Sequence, residues 1–219
     1  MKLKLFTVLF LLTTSTLLFS QSKYSIGING GAAVPAGTMS DLYQSGFGGG
    51  LSFNYNLNPD VQLFLSVDYS TFKFNNDVFN EFYDLLGVKE RPEIDATLNV
   101  IPVTVGARYF FSKSGFNPYG YAKVGLHSLS FKAVSLKVGN YESKFVSEES
   151  VLKYGWGLGV GFQAAVSKGI NIDVNIGANG NGADFVKNFN YETSTTTYKE
   201  ENKSSGLFFT FMAGLNFEF

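Results

Sequence analysis

The chain has 219 residues, with 17 basic and 18 acidic side chains, one histidine, no cysteine and a formal net charge of −1. So balanced a charge argues against a nucleic-acid partner, and the missing cysteines exclude disulfides and thiolate metal sites. One histidine and no cysteine cannot make a His/Cys metal cluster.

At the start, Lys2 and Lys4 precede an apolar run from Leu5 to Leu18, followed by Phe19, Ser20 and Gln21. A basic opening, a short apolar core and a small exit residue read as a secretory signal peptide over residues 1–20. The run falls short of the roughly 20 apolar residues that a spanning helix needs. Residues 21–219 then form a single domain.

Eight strands follow from period-two alternation. The first, from about Lys23 to Val34, sets Tyr24, Ile26, Ile28, Gly30 and Ala32 on one face. Pro35 and Gly37 end it. The second carries Phe47, Leu51, Phe53, Tyr55 and Leu57 outward, and Asn58-Pro59-Asp60 turns the chain. The third sets Val61, Leu63, Leu65, Val67 and Tyr69 against Gln62, Ser66 and Asp68, with Phe64 as an apolar exception on the inner face.

The fourth strand, Thr97 to Phe111, changes phase between Val100 and Val103, so a bulge is expected at Pro102. In the fifth, Pro118 to about Phe131, Tyr119 and Tyr121 fall out of phase with Val124 and Leu126, and a second bulge is expected near Lys123. The sixth sets Tyr154, Trp156, Leu158, Val160, Phe162, Ala164 and Val166 against Gly155, Gly157, Gly159 and Gly161. The seventh runs from Ile170 to Ala178, alternating with Asn171, Asp173, Asn175 and Asn179. The last, Leu207 to Phe219, alternates throughout and ends on an aromatic residue. An apolar edge strand of this kind invites aggregation in water, whereas a closed barrel in lipid removes the edge.

Connections after the second, fourth and sixth strands are short, and those after the first, third, fifth and seventh are long and polar. That is the asymmetry of an outer-membrane barrel, with short periplasmic turns and long extracellular loops. The expected fold is therefore all-β, an eight-stranded antiparallel up-and-down transmembrane β-barrel with both termini periplasmic. A soluble lipocalin-like barrel is the alternative, and it would turn the apolar set inward around a ligand.

The run Ile101-Pro102-Val103-Thr104-Val105-Gly106-Ala107-Arg108-Tyr109-Phe110-Phe111, with Pro118-Tyr119-Gly120-Tyr121 after a short turn, resembles the outer-membrane β-barrel domain proteins common in Bacteroidetes. These are often labelled porin family or PorT family and are akin to the OmpX and OmpA transmembrane domains. The resemblance implies fold and location, with a C-terminal signal at Phe217 and Phe219 that the barrel-assembly machinery reads. It implies no catalytic residue and no cofactor.

Eight strands leave an interior that side chains can fill. The inward set includes Asp68, Arg108, Lys123, Gln163 and Asp173, and buried charges must pair. Arg108 is expected to meet Asp68 on the neighbouring strand, with Lys123 and Asp173 joining. Such a network either plugs the lumen or lines an ion path. The four inward glycines of the sixth strand are expected to make room for Phe64 and Phe110 from opposite strands. Tyr24, Tyr55, Tyr109, Tyr119, Tyr154 and Trp156 are placed in the interfacial girdles.

His127-Ser128 invites comparison with outer-membrane lipid hydrolases, but no orienting acid or oxyanion hole is marked, so no catalytic residue is assigned. In the second loop Phe79, Phe82, Tyr83 and Leu86 fall at helical spacing between Asp77 and Gly87, as a cap on the mouth or an aromatic face for an extracellular protein partner. The third connection keeps alternating from Ala133 to Lys153, so the fifth and sixth strands are expected to protrude as a hairpin open to strand addition. The expected surroundings are lipopolysaccharide and phospholipid, with no cofactor and no metal.

Overall fold

The computed structural model describes residues 23–79, 92–112, 115–138, 141–182, 192–193, 196–197 and 206–219. Eight strands close into one barrel: β1 (Tyr24–Ala36), β2 (Gly46–Asn56), β3 (Val61–Lys73), β4 (Pro92–Phe110), β5 (Phe116–Val138), β6 (Tyr141–Ser167), β7 (Ile170–Asn181) and β8 (Gly206–Glu218). Each pairs antiparallel with its sequence neighbours, and β8 closes on β1. A two-residue ladder, Glu192–Thr193 with Thr196–Thr197, lies between β7 and β8. A helix α1 (Thr38–Leu42) sits between β1 and β2, and a 3₁₀ turn (Asn76–Phe79) follows β3.

Register sets the shape. Paired residues lead from Ile26 through Phe53, Leu65, Val105, Val124, Trp156, Gly180 and Leu207 back to β1 at Ala36, ten residues beyond the start. Closure with that stagger requires strongly tilted strands and leaves a bore that side chains can fill. The outer wall is apolar: Ile28, Leu51, Val67, Val105, Leu158, Val160 and Ile176 are all exposed. The lipocalin-like inversion is thereby overturned, because the apolar set points away from the lumen.

Turns at one end are local. Asn58 Oδ1 accepts the Asp60 and Val61 amides at 2.9 and 2.8 Å, closing an Asx turn between β2 and β3. Gly169, at φ +78°, supplies the left-handed residue between β6 and β7.

Neither expected bulge is present. β3 and β4 keep one register from Val61↔Tyr109 to Lys73↔Thr97, and the β4–β5 ladder shifts only between Asp95 and Ala96. The strands stay in phase and the interior changes character instead. Leu98, Val100, Pro102 and Tyr119 point inward and are nearly sealed from solvent. Tyr119 is accordingly not a girdle residue. The protruding hairpin is present, with β5 and β6 paired out to Val138↔Tyr141.

Candidate functional site

Three layers of side chains occupy the barrel. The layer nearest the short turns centres on Asp173 of β7, which is 4% exposed. Four side chains donate to its carboxylate: Tyr119 Oη at 2.7 Å, Gln163 Nε2 at 2.9 Å, Asn175 Nδ2 at 3.0 Å and Asn216 Nδ2 at 3.1 Å. Arg108 Nη1 stands 3.7 Å from Asp173 Oδ2 and donates to Gln62 Oε1 at 2.9 Å. Its guanidinium lies between the rings of Phe64 and Tyr119, 5.0 and 5.2 Å from their centroids. Asn54 extends the network, donating to Asn216 Oδ1 at 3.2 Å and Ser25 Oγ at 3.1 Å.

Arg108 therefore meets Asp173 across the lumen and not Asp68. The register pairs Arg108 with Gln62 on β3, six residues from Asp68, or roughly 20 Å along a strand.

The middle layer holds the second ion pair, Lys123 Nζ to Asp68 Oδ2 at 2.9 Å. Ser66 Oγ donates to the same carboxylate oxygen at 3.1 Å and lies 2.8 Å from Thr104 Oγ1. Lys123 reaches β3 across β4 because the intervening residue is Gly106, where a Cβ would collide with Phe64 and with Lys123 itself. The remaining cavity is about 50 Å³ and is bordered by Asp68, Arg108, Tyr121, Lys123 and Asn179.

The β6 glycines receive the side chains of neighbouring β5, and not Phe64 and Phe110 from across the bore. A Cβ at Gly155 would strike the His127 ring, at Gly157 Lys123, at Gly159 Tyr121 and at Gly161 Tyr119. Each of these bulky groups lies flat over a glycine of the adjacent strand.

The third layer, toward the long loops, is apolar, which the alternation did not anticipate. Ala33, Phe72, Leu98, Val100, Leu129 and Phe208 form a collar, with Phe72 and Phe208 edge-to-face at 5.4 Å. Helix α1 sits on it, with Met39 and Tyr43 buried in the same cluster. Gly37, at φ +57°, turns the chain off β1 into this helix. Tyr43 is bridged to Phe74, and Gln44 N donates to Lys73 O at 2.9 Å, which fastens the cap to β3. Burial pushes the Tyr43 hydroxyl up to about 12, so it stays protonated against the collar. Phe208 and Met212 stand at polar-phase positions of β8 and, like Phe64, marked an apolar interior.

His127 lies fully buried beneath the collar, with neither ring nitrogen hydrogen-bonded, whereas Ser128 faces the opposite side of β5. A Ser–His pair cannot form between them. Among the described residues no group of three His, Cys, Asp or Glu could hold a metal.

On the outer wall Phe217 and Phe219 are exposed, and the Phe219 ring stacks near Tyr24 at 6.4 Å. In the second loop, Phe79 ends the 3₁₀ turn. Its side chain, with Phe82, Tyr83 and Leu86, lies outside the described residues.

Known proteins share this architecture. A family model described as outer membrane protein beta-barrel domain matches residues 5–217. Neisserial surface protein A superposes with a TM-score of 0.52 at 19% identity, covering 90% of this chain and 98% of that one. A major outer membrane protein from Thermus thermophilus gives 0.52 at 11% identity, covering 90% and 99%. Ail of Yersinia pestis, solved with the heparin analogue sucrose octasulfate, gives 0.48 at 18% identity, covering 90% and 97%. No curated sequence matches the chain. With its full circle of lipid-facing strands and a match spanning nearly the whole sequence, the chain belongs to the outer membrane protein beta-barrel domain family.

Proposed function

We propose that this is a non-enzymatic, adhesive outer-membrane barrel whose lumen is plugged by side chains and which acts through the sheet rising above the lipid. In this reading residues 1–20 are removed, both termini are periplasmic, and Phe217 and Phe219 present the last strand to the assembly machinery. Within the family, the Ile101–Phe111 run favours the PorT-like branch. Lipopolysaccharide and phospholipid surround the wall, and an extracellular protein meets the loops.

Strand length carries the proposal. β4, β5 and β6 run 19, 23 and 27 residues, whereas about 9–11 suffice to cross a bilayer. The surplus makes a three-stranded sheet with unequal edges. On the β4 edge, the Asn76 side chain accepts from Ile94 N at 2.8 Å and donates to Ile94 O at 3.1 Å, imitating a backbone partner. On the β6 edge, pairing with β7 begins at Gly155, preceded by one bond from Gly182 N to Tyr154 O. Among the described residues nothing pairs with that edge from Tyr141 to Lys153, and such an edge accepts a foreign strand. The sealed collar and the 50 Å³ cavity, room for a few waters, favour a plug over a channel.

The test excises residues 132–148, bracketed by the Phe131↔Glu149 pair, and closes the gap with Asn-Gly. Cells displaying the shortened barrel are expected to lose at least about tenfold of their adhesion to serum-protein-coated surfaces, while folded-barrel electrophoretic mobility persists. Unchanged adhesion would contradict the role of the sheet. Discrete conductance steps from the refolded parent would contradict the plug.

A further inference from the structure

Part of the outer wall departs from the apolar pattern on one side only. On β3 the lipid-facing series Val61, Leu63, Leu65, Val67 and Tyr69 gives way to Thr71 and then Lys73. The register places Lys73, Thr97 and Lys132 in one outward row across β3, β4 and β5, directly above the row Thr71, Asn99 and Ser130. Both lysines are exposed, and Tyr69 Oη donates to Asn99 Oδ1 at 2.9 Å. Lys73 and Lys132 are separated by two strand spacings, roughly 10 Å. Elsewhere the rim stays apolar toward the long-loop end: β2 carries Phe47, β8 carries Phe209 and β1 carries Ala32, without an outward cation.

We propose that this face seats a phosphorylated glycolipid of the outer leaflet, with Lys73 and Lys132 each taking a phosphate and Thr97 between them. The inference rests on the orientation given above, with the long-loop end outside. Its chemistry comes in three steps along the strands. Val67, Val103 and Leu126 form the floor against which acyl chains lie. Tyr69 and Asn99 stand at the level where chain gives way to sugar, offering hydroxyl and amide partners. Two lysines then stand two strand spacings apart, at the height of the head group. A lysine beyond the hydrocarbon boundary interacts favourably with anionic head groups and extends its stem along the apolar wall. Free phosphate offers the same anion, but the acyl floor directly below commits the site to lipid.

One neighbour opposes the effect. Asp95, exposed two residues above Thr97 on the same face of β4, sets a carboxylate beside the row, so removing that charge strengthens binding.

The experiment places the folded full-length barrel in phosphatidylcholine nanodiscs with a diphosphorylated glucosamine glycolipid, and native mass spectrometry counts retained glycolipid. Wild type is expected to retain it, Lys73→Gln/Lys132→Gln to weaken retention at least about tenfold, and Asp95→Asn to increase it. The dephosphorylated glycolipid is expected to bind wild type and the double variant equally, and millimolar inorganic phosphate is expected not to displace the glycolipid. Equal retention of the phosphorylated glycolipid by wild type and the double variant would overturn the proposal, as would displacement by inorganic phosphate. The hairpin excision removes Lys132 as well, but the two lysine substitutions leave the β6 edge in place, so adhesion kept while glycolipid retention is lost, or the reverse, in the double variant separates the two ideas. Because both lysines are exposed, loss of folded mobility in the double variant would also count against a head-group role.

Discussion

Asp173→Ala is expected to lower the stability of the barrel by about 3–5 kcal/mol, because it leaves the buried Arg108 guanidinium without its carboxylate. Arg108 is held between two aromatic rings and cannot swing out to water without abandoning both. The change also strands Tyr119, Gln163, Asn175 and Asn216, each of which donates to this one side chain. Leaving buried donors unpaired costs more than the bonds themselves contribute. Removing both charges should therefore hurt less. Arg108→Met with Asp173→Leu is expected to recover the part of the loss due to the unpaired charge, since a buried ion pair can be exchanged for apolar packing, while the four donors stay stranded. Equilibrium unfolding in urea from lipid vesicles reads both variants. A single-variant loss below about 1 kcal/mol would mean that water reaches this layer and screens it.

The second large effect is on the outer wall. Val160→Arg puts a charge midway along the apolar face of β6, opposite Gly120 and Ile176. Val160 is 61% exposed, and its strand carries lipid-facing residues on either side, from Trp156 to Val166. An arginine at this depth is expected to cost about 2–4 kcal/mol in a membrane, whereas Tyr154→Arg, near the rim, should cost about 0–1 kcal/mol. The gradient matters more than either value. If the outer face met water, both variants would be near neutral and would not differ. Unfolding free energies measured in vesicles, with Val160→Ala as the packing control, separate the cases.

The lipid face was legible in the sequence because one rule governs it: alternate residues of every spanning strand must be apolar. β6 and β8 obey that rule almost without exception. The interior was less legible because two solutions satisfy a narrow bore, a hydrogen-bonded network and an apolar fill, and this barrel uses both. Leu98 and Val100 look like a change of phase, which a bulge at Pro102 would restore. They are instead inward residues of the collar, in continuous register. Tyr119 and Tyr121 mislead in the same way. Their pairing with Gly161 and Gly159 shows why: a glycine opposite gives an inward aromatic ring its space. The partner of Arg108 could not be read either. It depends on the ten-residue stagger of the closed sheet, a property of all eight strands together. Helix α1 is five residues long, too short to leave a periodic signal.

Which surface of the closed sheet meets hydrocarbon decides the rest, and spin labels walked along β8 from Phe208 to Phe217 in liposomes test that directly. Oxygen, which partitions into lipid, should reach labels at 209, 211, 213, 215 and 217 and be shut out at the even positions between them. If the pattern is reversed, or a water-soluble nickel chelate quenches the odd positions, the apolar residues do not face lipid and the protein does not span a membrane in this way.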